Sequence, residues 1–344
     1  MTKNYSKTKG INPSGVTNMM NKGIGFERPL NSFKCLSNLS CYLSSILKNK
    51  GQSLNFVALT HKMRLTMVNK TVAIYVFFDD LLKSMNYKEP ETRKTSDAEI
   101  MTVVLIAGGY FGGNIDKSLC FVRSTGLMPH ILGKSRFNRR LHKIGELLSE
   151  LFFYVGRAVK ELNVNSTYCI DSFPVEVCHN IRIIRTKIVK GEQYRGRCAS
   201  KRTWFYGFKV HMIVTSEGIP VEFTFTTGNA HDLDGLKQMP VNLPQGSQIL
   251  ADCAYTDYLL EEVLAHDDIH LKAARKSNSK KPHEPCTEYL ISIQRKRIET
   301  AFSDTAKYMP KKIHAVTENG FLIKLIMFIW AYTFDKLYYK QLAT

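Results

Sequence analysis

Two short apolar runs each end in an acid, and a third acid sits inside a long helical stretch. Asp171 closes Tyr168-Cys169-Ile170, and Asp252 closes Gln248-Ile249-Leu250-Ala251. Glu299 lies within Tyr289-Leu-Ile-Ser-Ile-Gln-Arg-Lys-Arg-Ile-Glu299. Two strand-end acids and one helical acid can converge although they are far apart in the chain, and that restricts the fold to strands and helices that share one rim. Hard cations such as magnesium take oxygen ligands and usually keep one or two protein carboxylates together with substrate phosphates. Two such ions about 3.5–4 Å apart activate an attacking oxygen and stabilise a leaving one in phosphodiester chemistry. The expected cofactor is magnesium or manganese, two ions per site, on Asp171, Asp252 and Glu299. A rival for the third position is Glu288, eleven residues earlier on the same stretch. It follows Pro285 at the expected helix start, where the helix dipole alone explains an acid.

Charge points to the partner. Lys and Arg number 48 against 30 Asp and Glu, a net charge of +18. An excess of that size signals a polyanionic partner, with double-stranded DNA the first expectation. Three basic regions stand out. Lys134-Ser-Arg136-Phe-Asn-Arg139-Arg140 would open a basic amphipathic helix capped by Ser135. A short helix before it makes a helix-turn-helix-like pair, whose second helix enters the major groove. Between Asp171 and Trp204 lie Arg182, Arg185, Lys187, Lys190, Arg195, Arg197, Lys201 and Arg202, opposed by Glu176 and Glu192. Phosphate contacts dominate nucleic-acid affinity, so a basic run beside a nuclease site is read as a backbone track, and Lys209 on the strand that follows is read with it as DNA-binding. Lys272, Arg275, Lys276, Lys280 and Lys281 precede the helix of Glu299, and Arg295 on that helix would orient Glu299 or clamp a phosphate. Trp204, Tyr206 and Phe208 fall on one strand face and read as core. His211 and His231 read as structural as readily as functional, with His231-Asp232 a possible support for the site.

The eight cysteines include no C-x-x-C pair, which argues against a zinc ribbon. They read as reduced thiols of an intracellular, cytoplasmic protein. The opening residues lack the apolar stretch of a signal peptide. The most hydrophobic segment, 321–334, is shorter than the about 20 apolar residues of a membrane span and carries Lys324, so it reads as a buried helix.

Three regions follow. Residues 1–66 hold ten Lys or Arg and a single acid, Glu27, with no clear periodicity, and read as a disordered basic extension. Residues 67–164 are helical in pattern, with Ser96 and Glu99 forming a capping-box signature. Residues 165–344 give the order β-β-β-α-β-α-β-α. The first strand is 167–171, stopped by Pro174, and a hairpin turns at Ser216-Glu-Gly218.

That order, with acids on the first and fourth strands and a later helix, resembles the ribonuclease-H-like fold of DDE transposases and retroviral integrases: α/β, a mixed sheet flanked by helices. Local strings narrow it. Ile170-Asp171-Ser172-Phe173-Pro174-Val175, Tyr194-Arg-Gly196, Ser200-Lys-Arg202, Tyr206-Gly-Phe-Lys209-Val-His211, Ala251-Asp252-Cys-Ala-Tyr255, Asn278-Ser-Lys-Lys-Pro-His-Glu284 and Arg295-Lys-Arg-Ile-Glu299-Thr-Ala-Phe302 together resemble the bacterial insertion-sequence-982 transposases over residues 67–340. Cys253 departs from the lysine or glycine expected after the second acid. The resemblance implies cleavage of element ends and joining of a 3′-hydroxyl to target DNA, in a homo-oligomer on DNA associated with the nucleoid. Alternatives are a non-catalytic DNA-binding remnant or regulator, and a structure-specific nuclease without strand joining.

Overall fold

The computed structural model describes residues 56–198 and 202–343. Most of the expected extension lies outside the described residues, as does Lys201. Its expected boundary at residue 66 falls inside a helix, α1 (Phe56–Ser84). No Gly or Pro interrupts residues 56–66, so the apolar helix of Val72–Leu82 extends back through them.

Helix α2 (Asp97–Tyr110) starts at the expected capping box. Ser96 Oγ accepts the Glu99 N–H at 3.1 Å, and the Glu99 carboxylate accepts the Ser96 N–H at 2.8 Å. It is apolar all round, with Ile100, Val103, Val104 and Ile106 fully buried, as a central helix must be. Helices α3 (Ile115–Ser124), α4 (Lys134–Lys143) and α5 (Gly145–Glu161) follow. Two expectations fail here. Helix α4 begins at Lys134 with Gly133 as its N-cap residue, so Ser135 lies inside the helix and caps nothing. The connection from α3 to α4 runs through residues 125–133, much longer than the about three-residue turn of a helix-turn-helix. Phe137 and Leu141 of α4 are buried instead, seating it on the helical core.

The sheet contains β1 (Thr167–Cys178), β2 (Arg195–Cys198), β3 (Thr203–Thr215), β4 (Pro220–Thr227), β5 (Ser247–Ala251) and β6 (Ile269–Ala273). Their order is β2-β3-β1-β5-β6, with β4 paired to the distal part of β3. Strands β1 and β3 pair antiparallel, β3 and β4 form the expected hairpin, and β1, β5 and β6 run parallel. Gly218 turns that hairpin at φ +79°, a conformation that a side chain would strain. The basic connection contains an unforeseen edge strand, β2.

Strand β1 also continues past Pro174 to Cys178, against expectation. Parallel pairing with β5 ends at Cys169↔Leu250, while pairing with β3 continues to Cys178↔Tyr206. The distal half of β1 therefore has one open side, the setting in which a strand tolerates proline.

Helices α6 (Asp232–Gln238), α7 (Tyr258–His266), α8 (Pro285–Tyr308) and α9 (Glu318–Ala343) complete the chain. The segment expected as a buried helix is α9, and no single described helix is long and apolar enough to cross a membrane. Alternation sorts the sheet into two cores. Tyr168, Ile170, Ile213, Ile249 and Ala251 meet α6 and α7 through Leu236 and Leu264. Cys169, Met212, Val214 and Leu250 join a larger core containing α8, α9 and the N-terminal helices. Trp330 of α9 packs edge-on to Phe78 of α1 at 5.4 Å and Phe152 of α5 at 5.3 Å, and Phe152 meets Phe223 of β4 at 4.9 Å. Residues 67–164 thus share their core with the sheet, because the C-terminal helix returns to lie among them.

One buried charge braces the helical half. Asp97 is fully buried and accepts Arg140 at 2.6 and 2.8 Å, Arg93 at 3.1 Å and the Tyr87 hydroxyl at 2.9 Å. Removing one member of a buried pair strands the other. Asp97→Ala is expected to lower unfolding free energy by about 3 kcal/mol, read from urea denaturation; a loss within error of zero would contradict the bracing role.

Candidate active site

Parallel register brings the first two acids together. Two residues past the last β1–β5 pair, the same register sets Asp171 opposite Asp252, which directly follows β5. Successive side chains alternate in a strand. Asp171 therefore projects with Cys169 and Asp252 with Leu250, on the face covered by Ile291 and Phe302 of α8. Asp171 accepts its neighbour Ser172 N–H at 2.7 Å, and Asp252 accepts the Cys253 N–H at 2.6 Å. From α8, Arg295 Nη1 approaches Asp252 Oδ1 at 3.5 Å.

Burial pushes the Asp171 carboxyl up to about 6; Asp252 and Asp232 push the same way, while the Ser172 N–H and Arg295 oppose. Asp232, at the start of α6, is the third acid beside Asp171. Its Oδ1 accepts Ser172 Oγ at 2.7 Å and Lys209 Nζ at 3.2 Å, and Lys209 also donates to Ala230 O at 2.7 Å. Ser172 thus touches both acids, its N–H on Asp171 and its hydroxyl on Asp232. Tyr255 is fully buried beneath them, and burial, then Asp232 and Asp171, push its hydroxyl well above the ordinary range. His211 is a structural histidine. Its Nε2 meets Thr226 Oγ1 at 2.8 Å, burial lowers it to about 4, and its ring leaves no room for a Cβ at Gly235. His231 precedes α6, its N–H held by the Asp234 carboxylate at 3.0 Å.

The third expected acid is placed differently. Glu299 is exposed, one helical turn beyond Arg295 on α8. Glu288 accepts the Arg275 N–H at 2.9 Å, which ties the first turn of α8 to the chain leaving β6. Among the described residues, no three His, Cys, Asp or Glu side chains are close enough to share a metal ion. The Asp171–Asp252 pair offers oxygen donors alone, a set that suits magnesium or manganese with several waters retained.

The basic residues divide into two classes. Arg140 is spent on Asp97, and Lys209 on Asp232 and Ala230, so neither is the surface cation that the sequence suggested. Arg275 is buried in a two-pronged pair with Glu261 at 2.6 and 2.8 Å. Lys281 pairs with Glu262 over the Tyr258 ring. Exposed cations remain at Arg136 and Arg139 on α4, at Arg182, Arg185 and Lys187 after β1, at Arg197 and Arg202 around β2, and at Lys276 and Lys280, while the exposed Arg195 shares a surface pair with Glu192 at 3.4 Å. Trp204 is exposed, contrary to expectation, while Tyr206 and Phe208 are core. The role of Asp232 was only half visible: its offset from His231 suggested support, but the contact with Ser172 comes from the sheet.

Comparison with known proteins bears on this segment. Residues 162–316 match the family described as the transposase DDE domain. The match spans β1 to α8 and contains Asp171, Asp232, Asp252 and Glu299. It supports a DNA-cleaving transposase with this mixed, helix-flanked sheet. No curated protein and no solved structure matches the chain.

The raised Asp171 carboxyl makes a stability prediction. Its folded value, about 6, lies above the ordinary 3.8. The folded state then binds more protons than the unfolded between these values, so this group's contribution falls as pH rises from about 4 to 6. In chelator at pH 7, Asp171→Asn should melt a few degrees above wild type, and the difference should shrink towards pH 4. An equal or lower melting temperature at pH 7 would show that the carboxylate is not electrostatically strained.

Proposed function

We propose that the chain is a DNA transposase of the insertion-sequence-982 kind, cutting element ends and joining the resulting 3′-hydroxyl to target DNA. The observation that carries the reading is the convergence of Asp171 and Asp252 under α8, within the segment that matches the DDE domain. Asp171 and Asp252 would hold divalent cations, with Glu299 as the third acid. When bound, such ions supply Lewis-acid activation of an attacking oxygen and stabilise charge on the leaving one.

The chain's own groups do the positioning. Ser172 N–H and Cys253 N–H fix the two carboxylates, and Asp232 fixes Ser172 through its hydroxyl. Arg295 offers a guanidinium at Asp252, where a scissile phosphate would be clamped. Exposed arginines after β1 and around β2 would track the phosphate backbone. Glu299 is favoured over Glu288 because Glu288 is already committed to the Arg275 backbone, whereas Glu299 is exposed beside Arg295.

Magnesium or manganese should support cleavage of duplex carrying the element ends, and chelation should abolish cleavage while leaving DNA binding. Cleavage undiminished in chelator would sink the reading. Glu299→Gln should lower cleavage by orders of magnitude with folding and DNA affinity kept, whereas Glu288→Gln should instead loosen α8 and lower the melting temperature. The reverse pattern would transfer the third position to Glu288. Binding should also weaken steeply with salt, with a log–log slope near −0.9 per phosphate contact. Replacing Arg182, Arg185, Arg195 and Arg197 together should flatten that slope; an unchanged slope would make the run a solvated loop.

A further inference from the structure

The turn after β1 carries an unusual surface. In Asn180–Arg185, Ile181 is 90% exposed and Ile184 is 98% exposed, while Ile183 between them packs on the core. Trp204 beside them is 56% exposed, and Asn180 Nδ2 donates to its carbonyl at 2.8 Å, tying the turn to β3. Single exposed apolar residues are ordinary. Two exposed isoleucines on a short turn that is tied to the strand of a half-exposed tryptophan are not, since each isoleucine forgoes about 1.5–3 kcal/mol of burial. Arg182 and Arg185 alternate with the isoleucines and are themselves exposed, as is Arg202. A polyanion with apolar base faces meets both kinds of group at once, and it complements the three exposed arginines by charge.

We propose that Ile181, Ile184 and Trp204 form a wedge that inserts against an unstacked base step of duplex DNA, with Arg182 and Arg185 on the flanking phosphates. Apolar side chains used in this way kink the duplex and let it follow more protein surface. The position sets where the kink falls. Trp204 lies eight residues along β3 from Met212, the partner of Asp171. At about 3.4 Å per residue that is at most about 27 Å, so the contacted step lies within about eight base pairs of the cleaved bond, at a rise of about 3.4 Å. The wedge thus grips flanking duplex and takes no part in the chemistry. Pyrimidine–purine steps unstack most easily, so TA is the preferred step.

This inference rests on the DNA-transposase reading, and its test separates the two. The probe is a 40-base-pair mixed-sequence duplex with 2-aminopurine at one central TA step and a fluorophore pair at its ends. Wild-type protein should bind it, raise the 2-aminopurine emission and shorten the end-to-end distance. Ile181→Ser/Ile184→Ser/Trp204→Ser, whose side chains are exposed and whose melting temperature should be unchanged, should lose both signals and bind about tenfold more weakly, with the salt slope unaltered. Arg182→Ala/Arg185→Ala should do the opposite, flattening the slope. Failure of the wild-type protein to bind any duplex would overturn the DNA reading and this inference with it. DNA binding in which the triple variant matches wild type in affinity, emission and bend would overturn the wedge alone. So would a triple variant that only loses self-association in sedimentation, which would make the ridge a contact between copies of the chain.

Discussion

Everything at the candidate site depends on the short parallel pairing of β1 with β5. Three residue pairs fix it, from Thr167↔Gln248 to Cys169↔Leu250. A slip of one residue would move every side chain of one strand to the opposite face. Asp171 would then point towards α6 and α7 while Asp252 faced α8, and the acids could not cooperate. The register is well protected, because Tyr168, Ile170, Ile249 and Ala251 are buried on one face and Cys169 and Leu250 on the other. A strand buried on both faces has no polar side to slip onto. Just past the pairing, β5 stops and the chain turns away at Asp252, while β1 runs on beside β3. The split between the strands leaves both acids at the mouth of an opening rather than inside a closed sheet.

Much of this was legible in the residues because the signals were local. Alternation gave β3 and β4, a Ser and a Glu three apart gave the start of α2, and apolar runs ending in acids gave β5 and the site. Legibility ended where a tertiary contact overrode a local signal. Pro174 reads as a strand terminator, yet it is tolerated because β5 has already left that side of β1. Arg140 looks like a phosphate ligand in a basic string and Lys209 like another on the strand that follows one, and only the fold reveals Asp97 and Asp232 as their partners. Trp204 shares a strand face with Tyr206 and Phe208, but β3 outruns its cover there, and the ring emerges into solvent. Asp232 could not be placed by sequence, since its partner Ser172 is sixty residues away and joined to it through the sheet.

The fold also refines what the net charge means. Some cations are internal struts: Arg140 on Asp97, Arg275 on Glu261, Lys160 on Glu222, Lys70 on Asp335. Each removes an acid from the surface along with itself, so the pairs are neutral in sum and the surface keeps the excess. Breaking such a pair strands a buried charge, which is why these positions brace helices and strands and cannot also serve DNA. The exposed arginines carry no such duty. They can exchange solvent counterions for phosphates without disturbing the frame.

The frame also explains why the Asp171 carboxyl stays strained. Two neighbouring acids in a partly buried site repel, and the simplest relief would be to swing apart. Asp171 is prevented by its place in the middle of β1 and by the Ser172 N–H, while Asp232 holds Ser172 in turn. Asp252 is held by the Cys253 N–H and by Arg295 from α8. The first turn of α8 is pinned through Glu288 to the chain after β6, and Arg275 there is locked on Glu261. Movement being blocked, burial first, and the repulsion from Asp252 and Asp232 after it, appear as a raised proton affinity at Asp171. A proton is one way to neutralise that charge, and a divalent cation is another. A site that cannot relax by motion discriminates between its contents by charge, so the positioning expected to cost stability at neutral pH is the same one that the proposed cation would offset.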